Sequence, residues 1–254
     1  MLNLVQTSKN IRTTILKMIY NSKSSHIWSA FSIVDILTYI YIQQFKDWDK
    51  LIMSKWHAWS ALYATLAEIW KIDKEELINT YCKNWQKLWW HVTLWSIPWV
   101  DATAWSLGHW LSMWIWMALS LTNNNVYVIL WDWEINEGSV WEWFLFAQQK
   151  KLNNLIVVID RNKQQAMWHT KDIINIPNLD NVMVELWWNV QVINWHDFNE
   201  IGNAFINLSN NKPNLIIAET IKWKSVDFME DNIIFHYKAP TKEQFSKALN
   251  QINK

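Results

Sequence analysis

Apolar residues along the chain follow two alternating periods. Ile11, Ile15, Met18 and Ile19 have helical spacing and predict a helix over residues 5–22, with a second over residues 32–43. The serine-rich SSHIWSAFS between them, holding His26, is expected to be a turn. Residues 51–54 are a short apolar strand that runs into a helix over residues 60–69, with His57 on the junction. Asp73 is expected to cap a helix reaching about Cys82. The connection that follows, residues 84–105, carries His91, and a loop of that length is seldom structureless filler in a compact domain. Small and apolar residues predict a buried helix over residues 106–121; its start, Ser106, Leu107 and Gly108, would offer backbone N–H groups to an anion.

The pivot of the pattern is VYVILWDWEINEGSVWEW, residues 126–143. Its first five residues make a buried strand, an acidic turn follows, and Glu137, Gly138 and Ser139 open a helix over residues 137–150. A continuous apolar strand over residues 155–160 ends in DRN, so Asp132, Asp160 and Asn162 are expected at the carboxyl ends of neighbouring strands, where open α/β sheets bind ligands. Helices over residues 179–186, 198–208 and 241–252 alternate with strands over residues 189–193 and 215–219. The alternation predicts an α/β fold with a doubly wound, mainly parallel sheet flanked by helices, and the length fits one domain over residues 1–254.

Composition changes this picture at one point. Trp occurs 23 times and Gly 3 times, whereas the usual Gly share of about 7% would give about 18. The tryptophans also stand where glycine is expected: on both sides of Asp132, around Gly108 in WSLGHW, between Lys222 and Lys224, and before His196-Asp197. Turns that bring backbone against a phosphate need residues without a Cβ. Inserting even extra methylenes into a packed core costs about 1–3 kcal/mol, and some twenty indoles at tight turns would exceed a total stability of about 5–15 kcal/mol. Most of these codons are therefore expected to be UGA read as glycine in the source organism, with Trp141 and Trp188, inside amphipathic or strand-like runs, as true tryptophans.

Charge narrows the function classes. Acidic and basic residues number 23 each, leaving no electrostatic footprint for nucleic acid or an anionic membrane. A single cysteine, Cys82, excludes an internal disulfide framework. With no signal-type start and no apolar run of membrane-spanning length, a cytoplasmic protein is expected.

With glycine at the doubtful positions, residues 131–133 become GDG. With Asn162 downstream, the pair resembles the thiamine diphosphate motif. SKWHAWSALYA, WWH, WSIPWVDATAWSLGHW, WDWEINEGSVWE, DRN and FMEDNIIFHYKAP together resemble the cofactor-diphosphate-binding N-terminal half of transketolase. That family also has a pyrimidine-binding domain and a C-terminal domain, so the chain resembles the small subunit of a split transketolase. The resemblance implies transfer of a two-carbon ketol unit from a ketose phosphate to an aldose phosphate, a place in the pentose phosphate pathway, thiamine diphosphate with Mg²⁺ or Ca²⁺ as cofactors, and a partner subunit carrying the pyrimidine-binding domain in an α2β2 assembly.

The same resemblance implies the site. Asp132, the Asn162 side chain and the backbone carbonyl of Gln164 would bind the metal, a set of hard oxygens suited to such a cation. His57, Ser106, Leu107, Gly108, Trp133, Glu134 and His236 would line the cofactor, and His26 and His91 would face substrate hydroxyls; histidine titrates in the range such proton transfers need. Glu137 resembles the family's interface glutamate, which relays charge between paired sites, and Lys222 and Lys224 resemble a turn that closes over the diphosphate. His109 occupies a position where relatives often carry glutamine or histidine, and His169 and His196 are expected on the surface. Plainer roles compete: Asp132 as a turn or N-cap residue, Asn162 as a turn residue, Glu137 as a first-turn glutamate, and the histidines as surface or capping groups. Another thiamine-diphosphate enzyme (deoxyxylulose-phosphate synthase-like or 2-oxoacid dehydrogenase E1-like) is the nearest alternative. If the tryptophans are real, a non-catalytic relative follows. An aromatic surface for single-stranded nucleic acid would place Trp among Lys and Arg clusters, which this sequence does not.

Overall fold

Five parallel strands set the frame: β1 (Lys50–Met53), β2 (Val126–Trp131), β3 (Leu155–Arg161), β4 (Asn189–Asn194) and β5 (Asn214–Glu219). The computed structural model describes residues 3–24, 27–84, 86, 88, 107–165, 168–221, 224–230 and 239–254. The strand order is β1-β2-β3-β5-β4. β2 is buried at every residue and β3 at all but its last, as continuous apolar runs require when both faces of a parallel strand are covered. β4 pairs only with β5 and alternates polar and apolar residues, and its side chains are largely half-buried or exposed.

Contacts divide the chain into two compact units, one of residues 46–55 and 104–220 and the other of residues 1–45, 56–103 and 221–254. The first contains the sheet and the helices Trp110–Ser120, Gly138–Gln149, Leu179–Glu185 and Phe198–Ile206. These agree with the hydrophobic pattern, except that the helix expected from residue 106 starts at Trp110, because Gly108 has a left-handed φ of 73° and turns the chain there.

The second unit is helical. Helix Leu4–Ser22 is capped by the Asn3 side chain, which accepts from the N–H groups of Val5 and Gln6 at 3.0 and 3.2 Å. Ile11, Ile15, Met18 and Ile19 are fully buried, as their spacing predicts. Arg12 forms a buried two-pronged ion pair with Asp35 at 2.9 and 2.7 Å. The stretch expected to be a turn around His26 contains the helix Ile27–Phe31: Ile27, Ala30 and Phe31 lie at helical spacing and are fully buried, and that periodicity outweighs the serines. The helix expected over residues 32–43 is found as the α-helix Val34–Tyr39 continued by the wider π-helix Ile40–Gln44, closed by the Phe45 N–H on the Ile40 carbonyl. Helix Lys242–Ile252 opens with a capping box between Thr241 and Gln244.

Among the described residues, three tryptophans have left-handed backbone: Trp48 (φ 74°), Trp70 (φ 63°) and Trp187 (φ 65°). Bulky residues are outliers in that region.

Candidate active site

The carboxyl ends of β2 and β3 present the candidate site. Trp131 is in register with Asp160, and the Asp132 N–H donates to the Asp160 carbonyl at 3.2 Å, so Asp132 leaves the sheet beside the start of the DRN turn. The Asp132 carboxylate accepts from the N–H of Trp133 at 2.9 Å and from the N–H of Lys163 at 2.6 Å. Asp132 thus acts as a cap for the turn Trp133–Asn136 and also binds the β2 end to the turn after β3. Asn162 is 5% exposed; its Oδ1 accepts from the Gln164 N–H at 3.2 Å, and its buried Nδ2 has no partner among the described residues. Gln164 opens a two-residue antiparallel ladder, Gln164–Gln165 with Trp168–His169, which gives its backbone a fixed direction.

A buried ion pair lies behind these residues. Lys55, directly after β1, is fully buried and pairs with Asp160, which also accepts from the Thr220 hydroxyl. Burial pulls the Lys55 pKa down, while Asp160 and then Asp132 push it up. The Lys55 ammonium lies 4.9 Å from the centre of the Trp131 ring. Pattern reading located Asp160 at the strand end but missed Lys55; a lysine inside an apolar strand-to-helix junction was the available signal.

Glu134 is fully buried, and its oxygens accept from the Ser54 hydroxyl at 2.5 Å, the Gly108 N–H at 3.1 Å and the Trp131 N–H at 3.4 Å. Glu134, expected to line the cofactor, ties Ser54, Gly108 and Trp131 together through these bonds. Burial raises its carboxyl from 4.5 to about 6, against the opposing hydrogen bonds. A pKa raised in the fold stabilises below about 4.5, and that contribution is lost as pH rises through about 6. Glu134→Gln removes the titration, so its unfolding free energy relative to the parent should shift by about 2 kcal/mol in the variant's favour from about pH 4 to about pH 7. Urea melts at the two pH values measure the shift, and a constant difference would refute it.

Gly108 lies in the turn 107–109, where Leu107 is half-buried. A Cβ on Gly108 would meet Ser139 Oγ at 2.5 Å and Glu137 Cβ at 2.9 Å. Gly108→Ala is expected to destabilise by about 1–3 kcal/mol, read in a thermal melt. Glu137 precedes the helix Gly138–Gln149 as its cap residue, with no side-chain cap bond. His109 is exposed, with Nδ1 3.0 Å from the Leu107 carbonyl. A cavity of about 490 Å³ opens beside Asp132, lined by Arg161, Lys163, His169, Lys171 and Glu219 among others. Glu219 pairs with both Arg161 and Lys163. His169 is exposed, as expected, and lines the cavity; His196 is half-buried, with its backbone N–H on the Asn194 side-chain oxygen at 3.2 Å. In the helical unit, His57 sits half-buried on the single turn Trp56–Ala58, which packs against the helix Ile27–Phe31. His26, His91, Ser106, His236 and Lys222 lie outside the described residues.

The oxygen donors suit a hard divalent cation, with a carboxylate, an amide carbonyl and a backbone carbonyl close in sequence to two strand ends. The residues flanking Asp132 do not suit a diphosphate. The Trp131 and Trp133 rings lie 5.0 Å apart, Trp131 is fully buried, and the Trp133 indole N–H is buried with no partner among the described residues.

The family description "Transketolase, thiamine diphosphate binding domain" matches residues 6–244. The chain is 30% identical to an apulose-4-phosphate transketolase subunit of Phocaeicola vulgatus, over 98% of this chain and 93% of that one. It is also 30% identical to the 6-deoxy-6-sulfo-D-fructose transketolase subunit SqwG of a Clostridium species, over 96% and 94%. Transketolase from Leishmania mexicana superposes with a TM-score of 0.91 at 17% identity, over the whole of this chain and 42% of that one. Transketolase from Campylobacter jejuni gives 0.88 at 22%, over 99% and 43%. The chain thus spans about two fifths of those transketolases, and nearly the full length of the two subunits. It belongs to the transketolase family, as that family's thiamine diphosphate binding domain.

Proposed function

We propose that the chain is the cofactor-diphosphate-binding subunit of a split transketolase. With a partner subunit carrying the pyrimidine-binding domain, it moves a two-carbon ketol unit from a ketose phosphate, or a ketose bearing a comparable anionic group, to an aldose phosphate. The observation that carries this is the emergence of Asp132 and Asn162 from the carboxyl ends of hydrogen-bonded neighbours β2 and β3. Two relatives called subunits, matched over nearly their whole length, support the need for a partner. Both compact units belong to one domain over residues 1–254 in this reading, which the family match running through both supports.

Asp132, Asn162 and the Gln164 carbonyl are the proposed ligands of Mg²⁺ or Ca²⁺. His57, Ser106, Leu107, Gly108, residue 133, Glu134 and His236 are assigned to the cofactor. His26, His91 and His236 are assigned to proton transfers on the sugar, and Glu137 to the interface between paired sites of an α2β2 assembly. Cytoplasmic residence and a place in pentose phosphate metabolism complete the reading. Among the described residues no helix is long and apolar enough to cross a membrane.

The test is co-purification with the candidate partner and an assay of ketol transfer from ketose phosphates, with 2-oxo acids and the deoxyxylulose-phosphate reaction run beside it. Activity on ketose phosphates that requires both chains is expected. Turnover of 2-oxo acids instead would assign the chain to a different thiamine-diphosphate enzyme.

A further inference from the structure

We propose that residues 48, 70, 131, 133 and 187 are glycine in the protein as its host makes it, each encoded by a UGA codon read as glycine, while Trp141 and Trp188 are true tryptophans.

The backbone carries this inference through three different glycine positions. Helix Trp59–Glu68 ends with the Trp70 N–H on the Ala67 carbonyl at 3.2 Å and the Lys71 N–H on the Leu66 carbonyl at 2.8 Å. That pair of bonds is the Schellman closure, and its left-handed residue, usually glycine, is Trp70. Helix Leu179–Glu185 closes in the same way, with the Trp187 N–H on Val184 at 2.8 Å and the Trp188 N–H on Met183 at 3.0 Å; the left-handed residue is Trp187. In the turn over residues 46–49, the Asp49 N–H donates to the Lys46 carbonyl at 3.1 Å, and of the two central residues only Trp48 has positive φ. That is the type II arrangement, whose third position takes glycine.

Burial does not offset the strain at positions 48 and 70. Trp48 and Trp70 are 78% and 90% exposed, so their indoles project into water rather than into a core. Lys151 occupies the same left-handed position after helix Gly138–Gln149, so an unbranched side chain is tolerated there. Three indoles at three such positions, in a chain with 3 glycines, form a pattern that a single substituted letter explains.

Buried and half-buried tryptophans divide along the same line. The N–H of Trp141 donates to the Ile135 carbonyl at 2.8 Å, and that of Trp188 to the Phe144 carbonyl at 3.3 Å, with the Trp188 ring edge-on to Phe144 at 5.2 Å. The buried N–H groups of Trp59, Trp114, Trp133 and Trp195 have no partner among the described residues, although a buried indole normally finds one. Trp131 and Trp133 join the glycine set because they flank Asp132 in the turn that, as spelled, does not suit a diphosphate. This last step rests on the proposed function; positions 48, 70 and 187 do not.

The experiment is codon reading joined to peptide mass spectrometry of the protein from its own host. UGA codons with glycine masses at residues 48, 70, 131, 133 and 187, and UGG with tryptophan at 141 and 188, are expected. Tryptophan at 48, 70 and 187 would overturn the proposal. Glycine at those three with tryptophan at 131 and 133 would uphold recoding and remove the cofactor turn, separating failure of this inference from failure of the functional reading. As a second measurement, a chain carrying Trp48→Gly, Trp70→Gly and Trp187→Gly should melt higher than the chain as spelled, by about 10 °C. An unchanged or lower melting temperature counts against the backbone argument.

Discussion

Replacing Asp132 with alanine, in a chain carrying Trp131→Gly and Trp133→Gly and assembled with its partner, is expected to weaken magnesium-dependent thiamine diphosphate binding by at least about 100-fold. The carboxylate is the only anionic member of the proposed ligand set, and a hard cation loses most when that charge is removed. The same change orphans the backbone N–H groups of residues 133 and 163, which donate to Asp132 at 2.9 and 2.6 Å. The Lys163 bond is exposed and the Trp133 bond half-buried, so water offsets part of the loss, and the alanine variant tests stability and binding together. Asp132→Asn separates them: its amide keeps one acceptor oxygen for one of the two N–H groups, and part of the stability should return while metal-dependent binding stays lost. Calorimetric titration of the cofactor at graded Mg²⁺, beside thermal melts of both variants, is the measurement. Undiminished binding by a folded Asp132→Asn chain would remove Asp132 from the ligand set.

Breaking the Lys55–Asp160 pair is the second large effect. Lys55→Met takes the ammonium away from a carboxylate that is 1% exposed, and should destabilise by about 3–5 kcal/mol. Adding Asp160→Leu to Lys55→Met should recover most of that loss, because the cost of a broken buried pair is the uncompensated charge that remains. Urea unfolding of the two single variants and the double variant closes the cycle. A double variant no better than Lys55→Met would show that the pair's value lies in packing around Trp131 rather than in charge.

Both variants probe a single arrangement. Asp132, Asp160, Asn162 and Lys163 converge because β2 and β3 run side by side in register and end together. Lys55 reaches the same place from β1 because its N–H donates to the Ile129 carbonyl, which extends the β1–β2 ladder by one residue. Glu134 then holds Ser54, Gly108 and Trp131 around one carboxylate.

The sequence by itself determined the elements and the two strand ends that carry Asp132 and Asn162. Apolar runs such as residues 126–130 and helical spacing such as Ile11, Ile15, Met18 and Ile19 are local signals, legible without knowing a neighbour. Local chemistry also marked the tryptophans that stand where glycine is expected, because glycine positions leave a mark in the surrounding turn residues. Where two local signals competed, as in SSHIWSAFS, the serines concealed the buried spacing of Ile27, Ala30 and Phe31. Tertiary structure alone decided the placement of β5 between β3 and β4, the meeting of Lys55 with Asp160 across 105 residues, and the enclosure of Glu134. Those features depend on which strands pair and which charges lose water together, and no periodicity along the chain encodes a partner that folding brings from a distant segment.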